Sequence, residues 1–319
     1  MKNIHFKILL FTSFALFTLL TSCDDNDESD FTFNSPIAIA DPFILLHNGT
    51  YYAYGTAAAD GIEVYHSQDM KFWKKESTLA LDKSNSWGDR WFWAPEVYYV
   101  ESKNKFFMYY SVDEHIAVAT SDSPLGPFVQ EIKQTMLGDK AIDSSLFIDD
   151  DGQGYLYFTR FTGGSRIWVA KLYDDMQTID QSTMRECFGV LQDWERAQGT
   201  INEAPFTMKH NDVYYLTYSA NNYESEYYGV GYATSDSPTG PWTKYAENPI
   251  LQKPKDLEGT GHSAIFKDAA GKLKIVYHAH HSHGVYGTRY IYISDVSFNP
   301  GTPDVLTVSK DYEIPRLIY

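Results

Sequence analysis

The chain has 319 residues, 26 Lys and Arg against 42 Asp and Glu, and a formal net charge of −16; apolar residues make up 43% and aromatic residues 16%, with 25 Tyr, 19 Phe and 7 Trp. That aromatic content excludes intrinsic disorder, and the acidic balance excludes a nucleic-acid binder, which needs a basic face. The same bias favours strands over helices and suits surfaces that bind flat, hydroxylated ligands, where a ring gives an apolar face and Tyr adds a polar tip.

At the start, Lys2 and Lys7 precede an apolar run from Ile8 to Leu20 that is broken by Thr12, Ser13 and Thr18. This pattern reads as a secretory signal. It is too short and too polar for a transmembrane helix, which takes about 20 apolar residues. The run ends in Leu20-Thr21-Ser22-Cys23, which resembles the bacterial lipobox and so implies lipidation of Cys23 as the mature N-terminus. The acidic stretch from Asp24 to Asp30 reads as a solvated tether. It resembles the export signal of surface lipoproteins in Bacteroidetes-type bacteria. The resemblance implies an outer-membrane lipoprotein anchored by lipid at the cell surface, with the periplasmic face as the alternative. The expected organisation is a signal over residues 1–22, a tether over 23–33 and one domain over 34–319. With Cys23 committed to lipid, Cys187 has no intrachain partner, so the domain is expected to be stable without a disulfide.

Repeats organise the rest. Ala119-Thr120-Ser121-Asp122-Ser123-Pro124-Leu125-Gly126-Pro127-Phe128 returns as Ala233-Thr234-Ser235-Asp236-Ser237-Pro238-Thr239-Gly240-Pro241-Trp242. Each copy reads as a strand end, a turn built on Asp, Ser, Pro and Gly, and an aromatic packing back. A second repeat joins a polar start, an apolar strand, a turn and a Tyr-rich strand. Its copies begin at Asp41, Ala94, Asp143, Glu203 and His262, spaced 53, 49, 60 and 59 residues, although Trp93 could equally lead the second. Asn48-Gly49, Asp151-Gly152 and Ala270-Gly271 mark hairpin tips. No stretch shows helical periodicity over a helix length. Five units of about four short strands predict an all-β, five-bladed β-propeller. The alternating segment over residues 304–319 is expected to close the ring or pack on its edge.

In a propeller the first strand of each blade lines the central channel. The repeat starts therefore gather Asp41, Asp143, Glu203 and His262 at one channel mouth. Clustered carboxylates in a concave mouth walled by Trp and Tyr suit glycoside hydrolysis, which needs one protonated acid and one ionised carboxylate. Like charges nearby push such pKa values apart.

Five motifs, in order, carry a resemblance: Ala40-Asp41-Pro42; Trp93-Ala94-Pro95-Glu96; Ile142-Asp143-Ser144-Ser145 with Asp149-Asp150-Asp151-Gly152; Asn202-Glu203-Ala204-Pro205; and Gly259-Thr260-Gly261-His262-Ser263. Together they resemble glycoside hydrolase family 43, five-bladed propellers that act with inversion on α-L-arabinofuranosides and β-D-xylosides, and in some members on β-galactans. The resemblance implies Asp41 as general base, Glu203 as general acid, and Asp143 as the group that tunes and orients Glu203. It places His262 near an axial ion, a structural calcium with mostly water ligands, and requires no cofactor for the chemistry. Arg289 resembles the family arginine that reaches the sugar hydroxyls, and it could also neutralise the carboxylates.

Trp91 and Trp93 sit before the second first strand; one is expected to stack on sugar and the other to pack between blades. The tract from His278 to His283 reads as a polar strand end near the mouth. The loop from Asn221 to Tyr228 suits either a subsite wall or a solvated loop. The expected partner is a plant polysaccharide or oligosaccharide, and the expected state a monomer. The favoured activity is exo-acting α-L-arabinofuranosidase. β-Xylosidase, endo-arabinanase, β-galactosidase and a non-catalytic glycan-binding lipoprotein are the alternatives.

Overall fold

The computed structural model describes residues 34–282 and 284–318. The signal, the tether and Cys23 lie outside the described residues, as does His283 of the histidine tract. Among the described residues no helix is long and apolar enough to cross a membrane, and the only helical elements are three short 3-10 turns.

Strands β1 (Ser35–Pro36), β2 (Ala40–His47), β3 (Thr50–Thr56), β4 (Gly61–Ser67), β5 (Phe72–Lys75) and β6 (Leu81–Asp82) belong to the first sheet. The second holds β7 (Trp93–Val100), β8 (Lys105–Val112) and β9 (His115–Ser121). The third runs β10 (Ala141–Ile148), β11 (Gly154–Phe161), β12 (Ser165–Leu172) and β13 (Ile179–Phe188). The fourth runs β14 (Asn202–His210), β15 (Val213–Ala220), β16 (Gly229–Ser235) and β17 (Thr243–Lys244). The fifth runs β18 (Glu258–Lys267), β19 (Leu273–Ser282), β20 (Val285–Asn299) and β21 (Val305–Glu313). The last strand, β22 (Arg316–Leu317), leaves the fifth sheet and enters the first between β1 and β5. Both chain ends of the described domain therefore share one sheet, as the closing role expected of the last segment requires.

Within each sheet, paired strands run antiparallel, mostly as a meander of strands consecutive in the chain, and only the inserted β22 runs parallel to its neighbour β5. At the first tip Asn48 and Gly49 both have positive φ, 50° and 78°, the geometry of a tight hairpin turn. The innermost strands contact one another in succession, β2 with β7, β7 with β10, β10 with β14, β14 with β18, and β18 with β2. The result is an all-β propeller.

The Tyr-rich second strands fill the space between sheets. Tyr54, Tyr109, Tyr110, Tyr157, Tyr215, Tyr218 and Tyr277 are fully buried. Their hydroxyls still need partners when buried, and two reach the repeated turns: Tyr54 donates to the Pro124 carbonyl and Tyr157 to the Pro238 carbonyl. The ring-filling tyrosines thus fasten one sheet to the next.

Candidate active site

Every innermost strand carries a β-bulge near its start. Ala40 faces Thr56 and Phe43 faces Tyr54, leaving Asp41 and Pro42 opposite Gly55 alone. The register shifts in the same way after Trp93, Ile142, Glu203 and Gly261. The first bulged residue is left-handed in all five: Asp41 (φ 51°), Ala94 (46°), Asp143 (57°), Ala204 (54°) and His262 (49°). Such backbone costs about 1–3 kcal/mol per non-glycine residue and persists only where its surroundings fix it.

The neighbouring sheet fixes it. The bulge amide of Ala94 donates to Thr56 Oγ1 at 2.9 Å, that of Asp143 to Ser111 Oγ at 3.0 Å, and that of His262 to Ser219 Oγ at 2.8 Å. Asp41 N donates to His278 Nδ1 at 3.0 Å. Each acceptor faces the pre-bulge residue of its own sheet. The third sheet departs from this rule. There the equivalent residue is Thr159, whose hydroxyl has no hydrogen-bond partner, and the Ala204 amide donates instead to Asp143 Oδ2 at 3.2 Å.

This register corrects the expected equivalence of the three carboxylates. Asp41 and Asp143 occupy the bulge position, but Glu203 stands one residue earlier, level with Trp93, Ile142 and Gly261. Ala204 is the true counterpart of Asp41, and Ala94 correctly led the second copy. A bulge inserts a residue and interrupts the alternation of sides, so the pre-bulge and bulge side chains can face one cavity. The wall of that cavity shows it: Asp41, Trp93, Ile142, Asp143, Glu203, Tyr223, His262 and Arg289 enclose about 230 Å³. A larger cavity of about 640 Å³ lies along the far ends of the same strands, among Leu45, Tyr99, Phe147 and Phe266, and contains none of the three carboxylates.

The electrostatics separate the acids. Burial would raise the Asp41 carboxyl, but Arg289, with Nη1 2.9 Å from Oδ1, acts together with His262 and His278 to more than offset it and hold the group well below the usual carboxylate range. Thr56 Oγ1 donates to Asp41 Oδ2 at 2.7 Å. Burial lifts Glu203 to about 7, the Asp41 charge adds to the rise, and a 2.7 Å bond from Tyr228 Oη to Oε1 opposes it. Asp143 is pushed well above its usual value by burial and by the charges of Glu203 and Asp41.

Arg289 lies inside the site, with its guanidinium 4.4 Å from the Tyr223 ring centroid. Of its two expected roles, the pairing with Asp41 is present. Trp93 lines the cavity, whereas Trp91 does not. Trp91 is exposed, stacks on Trp93 at 5.6 Å and lies under the Arg90 guanidinium, so it backs Trp93 from outside.

The histidine tract needs correcting. His278 and His280 are fully buried rather than a polar strand end. Because His278 Nδ1 accepts from the Asp41 amide, its proton sits on Nε2, and burial pushes its pKa down to about 3. His280 Nε2 meets the Tyr223 carbonyl at 2.9 Å and steadies the loop that walls the site. Sequence reasoning missed Thr56 altogether, and missed that His278 holds the Asp41 amide and Tyr228 the Glu203 carboxyl. A signal existed only for the register: Ala94-Pro95 and Ala204-Pro205 align with Asp41-Pro42.

His262 Nδ1 lies 3.3 Å from Asp41 Oδ1. Among the described residues no group of three or more His, Cys, Asp or Glu is placed to hold a metal. Calcium takes six to eight oxygen ligands, so the protein groups alone do not fit a calcium ion.

An ionised carboxylate and a protonatable one, buried around a sugar-sized cavity, define a glycosidase that works by acid and base catalysis. The comparisons agree. The family model for glycosyl hydrolases family 43 matches residues 33–303, and the chain belongs to that family. A β-D-galactofuranosidase of Aspergillus niger is 32% identical over 75% of this chain and 73% of its own. An arabinoxylan arabinofuranohydrolase of Paenibacillus polymyxa is 26% identical over 75% of this chain, which spans only 44% of that protein. Among solved structures, an endo-1,4-β-xylanase from Bacteroides thetaiotaomicron superposes with a TM-score of 0.86 at 48% identity, covering 90% of this chain and 100% of that one. A thermostable family-43 glycoside hydrolase gives 0.78 at 35% identity, covering 87% and 95%.

Proposed function

We propose that the protein is an inverting, exo-acting glycosidase that removes terminal α-L-arabinofuranosyl units from plant polysaccharides, on a propeller whose five sheets are five blades. The observation that carries this reading is the 230 Å³ cavity around Asp41 and Glu203. It is smaller than the roughly 300–1,000 Å³ pockets of drug-sized ligands, which favours a single sugar over a length of polymer. The named activities of the two sequence relatives, both on furanosides, support a five-membered sugar ring.

In this reading Asp41 takes a proton from the attacking water and Glu203 gives one to the leaving oxygen. Asp143 holds the Ala204 amide, and with it the backbone that follows Glu203. Arg289 and Trp93 contact the sugar. A second reading, action on β-D-xylosides or xylan, is favoured by the 48% identity to a chain called a xylanase. The test is a panel of aryl α-L-arabinofuranoside, β-D-xyloside and β-D-galactofuranoside, with linear arabinan and xylan. Arabinose released one unit at a time, and seen first by NMR as the β-anomer, is the expected result. Retained configuration would remove Asp41 as base, and fragments of polymer would remove the exo assignment.

The opposed pKa values predict the pH profile. The base must be ionised and the acid protonated, so kcat/KM stays high well into the acid range and falls as pH rises through about 7. A profile rising through pH 7 would contradict this assignment. We also propose that Cys23 carries a lipid anchor. Cys23→Ala should move the enzyme from the membrane fraction to the soluble one, and an unchanged distribution would dismiss the anchor.

A further inference from the structure

Tyr228 belongs to none of the repeats, yet it is fully buried against the acid. Its hydroxyl donates to Glu203 Oε1 at 2.7 Å. Its ring stacks on His278 at 5.7 Å and 8°, and His278 in turn receives the Asp41 amide. Space for the ring is made by Gly261. A Cβ at that position would stand 2.2 Å from Tyr228 Cε1. Gly261 is the pre-bulge residue of β18, the position that carries Trp93 in β7 and Glu203 in β14. The fifth sheet thus leaves out a side chain where the others project one, and Tyr228 takes the room.

We infer that Tyr228 is a positioning residue that fixes which oxygen of Glu203 carries the catalytic proton. This rests on Glu203 being the acid. A buried phenol is held neutral, so it can always donate, and burial keeps the Tyr228 hydroxyl well above its usual pKa. With Oε1 accepting from Tyr228, the acid proton resides on Oε2. In the reaction that proton passes to the glycosidic oxygen, the anomeric C–O bond breaks, and the alcohol leaves. Water adds to the anomeric carbon and gives its proton to Asp41. Tyr228 keeps its own proton, and its bond to Oε1 strengthens as Glu203 becomes a carboxylate. The charged groups facing Glu203 are Asp41, Asp143 and Arg289, and none of them is a donor in the position of Tyr228.

The test uses Tyr228→Phe in the full chain, which removes one oxygen and keeps the stacked ring. Kinetics are read on an aryl glycoside and on an alkyl glycoside of the sugar found by the panel. Hydrogen bonds to charged groups are worth enough for a fall of roughly 10- to 100-fold. We expect that fall in kcat on the alkyl glycoside, a much smaller one on the aryl glycoside, whose leaving group needs little protonation, and little change in KM. The alkaline limb of the profile should move to higher pH, since a donor that favoured the carboxylate is gone. Replacing Tyr228 with 3-fluorotyrosine, a stronger donor, should move that limb the other way. Equal losses on both substrates, no loss, or limbs that stay in place would overturn the assignment. Glu203→Gln serves as control. If it lacks the leaving-group dependence, the reading of Glu203 fails; if it shows the dependence and Tyr228→Phe does not, only Tyr228 loses its role.

Discussion

Glu203→Gln is expected to lower kcat on natural glycosides by about 10²–10⁴-fold, the range that general acid catalysis supplies, with KM and melting temperature nearly unchanged. The amide is the same size, its oxygen can still accept from Tyr228, and Glu203 forms no ion pair with a cation among the described residues that would be left stranded. What it cannot do is release a proton. The loss should shrink on aryl glycosides with good leaving groups and be largest on the polysaccharide. Asp41→Asn should cost as much on both kinds of substrate, because activation of water is needed whatever leaves. It would also leave the Arg289 guanidinium without its anion. Steady-state kinetics on both substrates decide the matter: a change below threefold on the natural glycosides for either variant would remove that residue from the chemistry.

The second large effect lies beneath the acid. Lys244 is buried with its ammonium bonded to Glu195, to Asn202 Oδ1 at 2.9 Å and to the Gly189 carbonyl at 2.9 Å, over the rings of Phe188 and Tyr218. Glu195 is fully buried and also accepts from Tyr218 Oη at 2.6 Å and from the amides of Leu191 and Gln192. Asn202 directly precedes Glu203. Burial pushes the Lys244 pKa down to about 8, whereas its partners hold Glu195 below the usual value despite burial. The two shifts differ because Glu195 gathers several donors, while the ammonium pays more for leaving water. Lys244→Met should therefore destabilise the fold by about 3–5 kcal/mol, the cost of leaving one buried charge unpaired. Adding Glu195→Gln should recover a good part of it, since the amide is neutral. Denaturant midpoints of the wild type and the two variants measure this. A loss under about 1 kcal/mol, or no recovery in the double variant, would show that Glu195 keeps its charge satisfied without Lys244.

The repeats explain why so much was legible. Alternating strands, Asn-Gly tips and the two Ser-Asp-Ser-Pro turns are local signals, and local physics sets the strand and turn that each produces. Once the five copies were aligned, the ring followed, and with it the meeting of Asp41, Asp143, Glu203 and His262 in one cavity. Arg289 was legible only as a candidate. The repeat could not show that it would pair with Asp41, 248 positions away.

The misplaced register shows where sequence reasoning stopped. Glu203 was aligned with Asp41 because both are acids at strand starts, yet it stands one residue earlier. Alternation forbids neighbours on one face only while the strand is regular, and the bulge suspends that rule. The histidine tract misled for a related reason. A run of polar residues near a strand end reads as solvent-facing, but His278 is drawn inside to satisfy the amide of a strained residue in another sheet, since a buried N–H without a partner is costly.

By itself, then, the sequence determined the strands, the turns, their repetition and the set of acids, because each depends on neighbours a few positions apart. The tertiary structure alone decided which oxygen meets which donor. Thr56 on Asp41, His278 on the Asp41 amide and Tyr228 on Glu203 are contacts made when the sheets close side by side, and the placing of the protons depends on that closure.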